Sequence, residues 1–347
     1  MATLEIEGRG FEGKRTKTLL QTVPNRAIIF LHHQDIDAIA ATDIVSKGVQ
    51  AVVNFSPSMT GTYEHNGVQI LLNHHIPVFD IIAYYPMDSI IENRVILIMN
   101  ESLYIKDNMT YRYVGKLKRY TKEQVKLLKD QAKKHFSDEF RRFGENSLTF
   151  AAEELTRFLE PMTIPKPFQA LQDEEVLIVV RGREYEADLA VLKKMLKKNL
   201  SIIAVDGAAD GLLRQGMIPS IIFGDMDSVS EQALTCGAEL IAHSYANGQS
   251  PGLERLKELG LNANTSSMMG TSEDVAIITA YRAGAKRIYL IGSHTSMNEF
   301  LEKGRKGMGS TLLVRMEASE RIVDLKGIHH VLAEKQSLFA LPASFYY

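Results

Sequence analysis

The second half of the chain carries short apolar runs at Leu200–Val205 and Ile221–Phe223, and further strand-like segments at Val176–Val180, Ala238–Ala242, Arg287–Ile291 and Ile322–Leu325. Runs that are apolar at consecutive positions read as strands covered on both faces, as in a parallel sheet. Helical stretches separate them: Ala187–Lys198, a helix opened by Ser250-Pro251, Val275–Ala283 and Asn298–Lys306. Serine before a first-turn proline is a helix-start signal. Alternating strands and helices predict a parallel α/β sheet domain.

The first half reads as a smaller α/β unit. Ala27–Leu31, Val49–Phe55 and Ile76–Ile82 are predicted strands, with a helix over Ile36–Lys47. Residues 1–17 are polar and glycine-bearing and read as a lead-in, and 90–114 as short strands around the turn at Lys106-Asp107-Asn108. Thr121 and Gln124 form a capping box, and Val125, Leu128, Ala132, Phe136, Phe140 and Phe143 share one face of the helix that follows. Gly144–Ser147 is expected to break that helix before a second one at Phe150–Leu159. The aromatic stripe reads as packing surface for docking or for a homodimer. Pro161, Pro165 and Pro167 mark a linker. The organisation expected is a small α/β domain over 1–117, a helical connector and proline-rich linker over 118–172, a sheet domain over 173–330 and a tail over 331–347.

Composition narrows the classes. A formal net charge of −2 over 347 residues gives no electrostatic case for nucleic acid or an anionic membrane. The single cysteine, Cys236, excludes an intrachain disulfide and fits a reducing, cytoplasmic compartment. There is no signal-peptide core, and no run approaches the roughly 18–20 apolar residues that span a bilayer. The apolar ending LFALPASFYY suggests that the natural protein continues past Tyr347.

The candidate chemistry centres on residues 200–230, LSIIAVDGAADGLLRQGMIPSIIFGDMDSVS. Asp206-Gly207 follows one predicted strand and Gly224-Asp225 the next, at the sheet edge where α/β proteins bind ligands. In extended backbone Asp225 and Asp227 point the same way. Paired carboxylates repel unless protonated or bridged by a cation, and an oxygen-only set beside a phosphate suits Mg²⁺. Ser228 or Ser230 would cap the next helix and offer amides to an anion. The plain alternative is a surface turn; two strands, two acids and two glycines together favour the ligand site.

Other loops of the same domain add to it. Arg181-Gly182-Arg183 offers a phosphate clamp. Gly270-Thr271-Ser272 precedes a helix and is a candidate anion seat, with Asp274 as a third metal carboxylate; the plain reading is an N-cap. His294 is a candidate donor or base. In the first half, the loop NFSPSMTG (54–61) and the group His32, His33, Asp35, Asp37, His74 and His75 admit anion or metal readings. Turn, capping and solvated roles explain them more simply.

DGAADGLL, IPSIIFGDMDS and GTSEDVAI resemble the catalytic domain of thiamin pyrophosphokinases, which pass a pyrophosphoryl group from ATP to the thiamin hydroxyl. The resemblance implies a Mg²⁺ site at Asp225, Asp227 and Asp274 and a nucleotide site including Arg181, Gly182, Asp206, Gly207, Gly224, Ser228, Thr271 and Ser272. Nearly the whole chain is similar to the SteA-like cytokinetic-ring proteins of Gram-positive bacteria, through VVRGREYEADL, FGDMDSVSEQAL, SPGLERLKELGL, FLEKGRKGMGSTLLVRM and NFSPSMTGTY. That similarity implies a cell-division partner and a C-terminal membrane tether beyond this sequence. One element departs from the pyrophosphokinases: Gly292-Ser293-His294-Thr295-Ser296-Met297-Asn298 lacks their Arg/Asp pair at the thiamin site, which weakens the case for thiamin. Three readings follow: a Mg-ATP pyrophosphoryl transferase acting on a small hydroxyl acceptor, a catalytically silent nucleotide-binding scaffold of the division machinery, and a transferase acting on a pterin or sugar-like alcohol.

Overall fold

The computed structural model describes residues 4–85, 91–195, 200–244 and 249–333. The end of the helix predicted to run to Lys198, and the tail over 334–347, lie outside the described residues. The chain divides into two compact units, 1–143 with 296–305, and 144–295 with 306–347.

In the first unit the elements run β1 (Glu5–Gly13), α1 (Thr16–Thr22), β2 (Ile28–Leu31), α2 (Ala38–Lys47), β3 (Ala51–Asn54), α3 (Gly67–Asn73) and β4 (Val78–Tyr84). Then come β5 (Arg94–Met99), β6 (Ser102–Asp107), β7 (Thr110–Arg119) and the start of α4 (Lys122–Phe158). The strands close a barrel in the order β1-β2-β3-β4-β7-β6-β5. β1 to β4 are parallel; β7, β6 and β5 return as an antiparallel meander and β5 pairs back onto β1. The small α/β domain read from sequence is therefore a mixed barrel.

Alternation explains why the central strands are apolar throughout. Ile28, Phe30, Ala51, Val53 and Phe79 pack with Ile96, Ile98, Ile105 and Leu117 in one core. Ile29, Leu31, Val52 and Val78 face the other way, under Leu19, Ala41, Ile44, Val68 and Leu71 of the helices. The reading of residues 1–17 as a lead-in is overturned, since Glu5–Gly13 is the strand that closes the barrel. Its glycines fit crowded neighbours rather than a flexible tether: a Cβ on Gly10 would lie 2.6 Å from Ile96 Cγ1, and one on Gly13 2.8 Å from Leu19 Cβ.

In the second unit, α5 (Lys166–Gln169) leads into β8 (Glu175–Val179), α6 (Tyr185–Leu192), β9 (Ser201–Val205), α7 (Ala208–Arg214), β10 (Ile221–Gly224) and α8 (Glu231–Leu234). β11 (Glu239–His243), α9 (Pro251–Glu258), β12 (Asn264–Ser266), α10 (Ser272–Arg282) and β13 (Arg287–Ile291) follow. α11 (Met297–Glu302) groups with the first unit, where Phe300 lies 6.0 Å from Phe143. The second unit then finishes with α12 (Gly309–Ala318), β14 (Ile322–Asp324) and α13 (Ile328–Ala333). Its sheet is parallel, as predicted, in the order β12-β11-β10-β9-β8-β13-β14. One face packs Ile178, Ile203, Ile221 and Phe223 against α10 and α12; the other packs Leu177, Val179, Ala204 and Ile222 against α6, α7, α8 and α9. Burial on both faces is what removes polar positions from these strands.

The predicted capping box opens α4: Thr121 N donates to Gln124 Oε1 at 3.1 Å, and Gln124 N donates to Thr121 Oγ1 at 3.2 Å. The predicted break does not occur, because α4 is continuous from Lys122 to Phe158. Gly144 costs the helix only about 1 kcal/mol, too little to end it. Ser147 is buried, and its hydroxyl accepts from Met308 N at 3.0 Å. A Cβ on Gly309 would lie 2.6 Å from Phe150 Cβ, so the small residues of this region serve close packing. Along the predicted face Val125, Ala132 and Phe143 are buried, whereas Phe136 and Phe140 are exposed and stack on each other at 5.6 Å. Among the described residues, no helix is long and apolar enough to cross a membrane.

A Cβ at Gly144 meets nothing within 4 Å. Gly144→Ala should therefore stabilise a continuous helix by about 0.5–1 kcal/mol and raise the thermal midpoint. A lowered midpoint in a circular-dichroism melt would instead indicate a helix that ends there.

Candidate functional site

A parallel sheet puts every strand's carboxyl end on one edge. β8, β9, β10 and β11 are neighbours, so the loops at Arg181, Asp206, Asp225 and beyond His243 lie side by side. Asp206 turns its side chain across the next strand, and its Oδ1 accepts from Asp225 N at 2.8 Å. Only glycine permits this crossing. A Cβ on Gly224 would lie 1.8 Å from Asp206 Oδ1, and Gly224 has φ +147°.

The segment Asp225-Met226-Asp227 is not extended, contrary to the sequence reading. Met226 has φ +61°, an unusual conformation for a long side chain, and is fully buried. Burying Met226 leaves Asp225 and Asp227 both exposed, so the two carboxylates share a side through core packing. Asp227 N donates to Asp225 Oδ1 at 3.4 Å. Asp206, Asp225 and Asp227 thus form a row with Asp225 in the middle. Asp225 is open to solvent on one side only; partial burial of its carboxyl among the surrounding loops, and then the neighbouring Asp206 charge, push it above its usual value.

Two residues that the sequence reading did not assign hold this backbone. A Cβ on Gly252 would lie 2.4 Å from Asp225 O, and Arg255 Nη1 donates to Met226 O. Both belong to α9, which begins at the predicted Ser250-Pro251 cap; Ser250 Oγ accepts from Leu253 N at 3.2 Å. Only the compactness of Ser-Pro-Gly hinted at so close an approach.

The other predicted residues have varied places. Ser228 Oγ accepts from Gly207 N at 3.2 Å, tying the first acidic loop to the second. Ser230, not Ser228, caps α8, accepting from Ala233 N at 3.1 Å. Arg181 lies over Gly207, where a Cβ would be 3.6 Å from Arg181 Cδ. Gly182 approaches Gly292 rather than an open crevice, since its Cβ would lie 2.1 Å from Gly292 O.

Asp274 is buried inside the protein. It accepts from Ser310 Oγ at 2.8 Å, Thr311 Oγ1 at 3.0 Å and Thr271 N at 3.3 Å, which fastens α10 to α12. Burial, and then the Glu273 charge, raise its carboxyl. The ligand atoms of Asp225, Asp227 and Asp274 do not all lie within 4.8 Å of one another in this structure. Thr271 Oγ1 accepts from Asp274 N at 3.0 Å, completing a capping box, the plain reading of this stretch. Ser272 Oγ lies 3.5 Å from His243 Nδ1, a contact the sequence did not signal. Two buried acids, Glu273 and Asp274, already occupy this helix start and oppose a further anion. His294 Nδ1 lies 2.8 Å from Glu273 Oε2, and His294 N also donates to Glu273 at 3.1 Å. Ser293 Oγ donates to Asp324 Oδ2 at 2.8 Å.

The first-half candidates are absorbed by local structure. Asn54 donates to His33 O at 2.7 Å and to Ser58 Oγ at 3.0 Å; Ser58 N donates to Asp80 Oδ1 at 3.0 Å. Tyr120 Oη donates to Asp80 Oδ2 at 2.7 Å, and Thr60 N to Asp35 Oδ1 at 2.7 Å. Burial would raise Asp35, but hydrogen bonds from His65 and Thr60 hold it below its usual value. Asp37 caps α2, accepting from Ala40 N at 2.7 Å, and His33 lies 3.3 Å from its other oxygen. Turn and capping roles account for these residues.

No protein-family model matches the chain, and no curated protein matches it. Among solved structures, the thiamine pyrophosphokinase of Bacillus subtilis is similar at 19% identity and TM-score 0.27, over 44% of this chain and 60% of that one. The enzyme of Geobacillus thermodenitrificans is similar at 19% identity and TM-score 0.28, over 43% and 59%. The chain thus spans about three-fifths of the enzymes it matches.

Two predictions follow from the carboxylate row. Gly224→Ala should cost more than about 2 kcal/mol, through the clash with Asp206 and the strained φ, and lower the thermal midpoint. The second concerns pH. A carboxyl raised in the folded state stays protonated there while its unfolded counterpart, near 3.9, has ionised, so stability falls as pH rises through the folded value. Asp225→Asn removes that penalty. Its melting temperature should exceed wild type at pH 7, and the gap should close on acidification below about pH 4. A gap that is constant with pH in parallel melts would contradict the assignment.

Proposed function

We propose that the carboxyl edge of β8, β9 and β10 binds a Mg-nucleotide, and that the protein is a thiamin pyrophosphokinase-like transferase. It would pass a pyrophosphoryl group from ATP to a small hydroxyl acceptor and release AMP. The observation that supports this reading is the row Asp206–Asp225–Asp227, held together across two strained backbone positions in spite of its own repulsion. A dication relieves such repulsion, and Mg²⁺ needs only one or two carboxylates when phosphates and waters supply the rest. Asp225 and Asp227 are the proposed ligands, with Asp206 orienting Asp225 through its amide. Arg181 stands over Gly207, beside the row, where a guanidinium would take phosphate charge. Asp274 keeps α10 in place, and Thr271 and Ser272 shape the flank of the site. Phosphoryl-transfer chemistry asks mainly for this kind of positioning and charge neutralisation.

A second reading, a nucleotide-binding scaffold of the division machinery, is favoured by the loop after β13. His294 and Ser293 are turned inward onto Glu273 and Asp324, and the Arg/Asp pair of thiamin enzymes is absent. The SteA-like sequence elements fit that setting.

Calorimetric titration of ATP with and without Mg²⁺, followed by mass spectrometry after incubation with thiamin, separates the readings. Mg-dependent binding that Asp225→Asn weakens by at least roughly tenfold, about 1.4 kcal/mol, supports the site. AMP and a pyrophosphorylated acceptor establish the transferase. Binding without product favours the scaffold, and absence of binding removes both.

A further inference from the structure

A second cluster lies on the same unit and involves none of these aspartates. Asp188 on α6 is fully buried, and each of its oxygens is in use. Its Oδ1 accepts from His329 Nδ1 at 2.6 Å and from His329 N at 3.1 Å; its Oδ2 accepts from Gly327 N at 2.9 Å. With Nδ1 turned to Asp188, the other ring nitrogen of His329, Nε2, lies 3.9 Å from Glu184 Oε2. His330 Nε2 lies 3.5 Å from that same oxygen. The donor atoms of Glu184, His329 and His330 all fall within 4.8 Å of one another, the only such trio among the described residues.

We propose that Glu184, His329 and His330 form a binding site for a divalent transition-metal ion of the zinc class, with Asp188 as the carboxylate that orients His329. Two imidazole nitrogens and one carboxylate oxygen suit zinc and exclude magnesium as the preferred ion. A tetrahedral ion about 2.0–2.1 Å from each ligand sets neighbouring ligand atoms about 3.3 Å apart, so modest side-chain rotation closes the set. A buried carboxylate on the far nitrogen is the usual support of a metal-bound histidine, fixing tautomer and ring direction. A surface ion pair would account for His330 and Glu184, whose side chains are 66% and 56% exposed. It leaves unexplained why the neighbouring ring is fastened to buried Asp188 with its other nitrogen turned to the same glutamate. Glu184 has φ +58° and stands at the N-cap of α6 without a side-chain cap hydrogen bond, so its carboxylate is available to the ion. Three ligands leave a fourth position for water. Bound metal would clip α13 to the loop after β8, the loop that carries Arg181.

Titration of the full chain with Co²⁺ or Zn²⁺ tests the site. Expected are one equivalent bound, visible Co²⁺ absorption of tetrahedral type that Zn²⁺ bleaches and excess Mg²⁺ does not, and a raised melting temperature. His330→Ala and Glu184→Gln alter exposed side chains and should leave the fold intact. Each should weaken binding by more than roughly tenfold and remove the absorption. Absence of binding by the wild type would overturn the proposal, as would binding that survives both substitutions and so resides on other histidines such as His32 and His33.

Discussion

The Asp206 carboxylate lying across Gly224 is the contact on which the rest of the candidate site depends. It joins the ends of two adjacent parallel strands, fixes the Asp225 amide, and excludes any side chain at position 224. The arrangement is unfavourable by itself. Asp206 and Met226 both adopt left-handed backbone, each costing on the order of 1–3 kcal/mol, and like charges are gathered in a row. What offsets these costs is ordinary packing: Met226 in the core beside Val229 and Leu256, Gly252 against Asp225 O, and Arg255 on Met226 O. Backbone strain and perturbed carboxylates of this kind cluster at functional sites.

The parallel sheet was legible because burial on both faces leaves apolar runs at regular intervals with helical stretches between them. Arg287–Ile291 and the Ser250-Pro251 helix start come out where the pattern puts them. The barrel was not legible. Its closing strand, Glu5–Gly13, is buried mainly at Ile6 and Gly10, so its pairing is carried by backbone and by glycine fit rather than by apolar periodicity. The continuity of α4 through Gly144 was hidden for a related reason. Ser147 is small where Gly307 approaches it closely, a tertiary fact, whereas a Cβ at Gly144 would meet nothing and a lone glycine there is simply tolerated by the helix.

Within the site, residue type was a better guide than residue role. The aspartates after β9 and β10 stand at the sheet edge as expected, but the argument from extended backbone gave the right side for the wrong reason. Asp274 shows the opposite case. Its spacing after Gly270-Thr271 suits both a metal ligand and a capping box, and the hydroxyls of Ser310 and Thr311, distant in sequence, occupy the carboxylate. Glu184 and the two histidines carry no recognisable spacing, being separated by almost the whole domain.

The sheet's strand order explains why the carboxylate row lies where it does. The order reverses between β8 and β13, the place where an open α/β sheet ordinarily has its crevice. Here Gly182 and Gly292 bring the two loops into backbone contact, and Val180 N donates to Ile291 O at 2.8 Å, so the crevice is filled by the protein itself. His294 and Ser293 are then drawn inward onto Glu273 and Asp324. The acidic edge consequently moves one and two strands over, to the ends of β9 and β10. Arg181 is left bridging the closed switch point and the acidic row, while Glu184, three residues later, faces α13. A single short loop after the central strand therefore adjoins both candidate ion sites, with Arg181 beside Gly207 at one end and Glu184 beside His329 and His330 at the other.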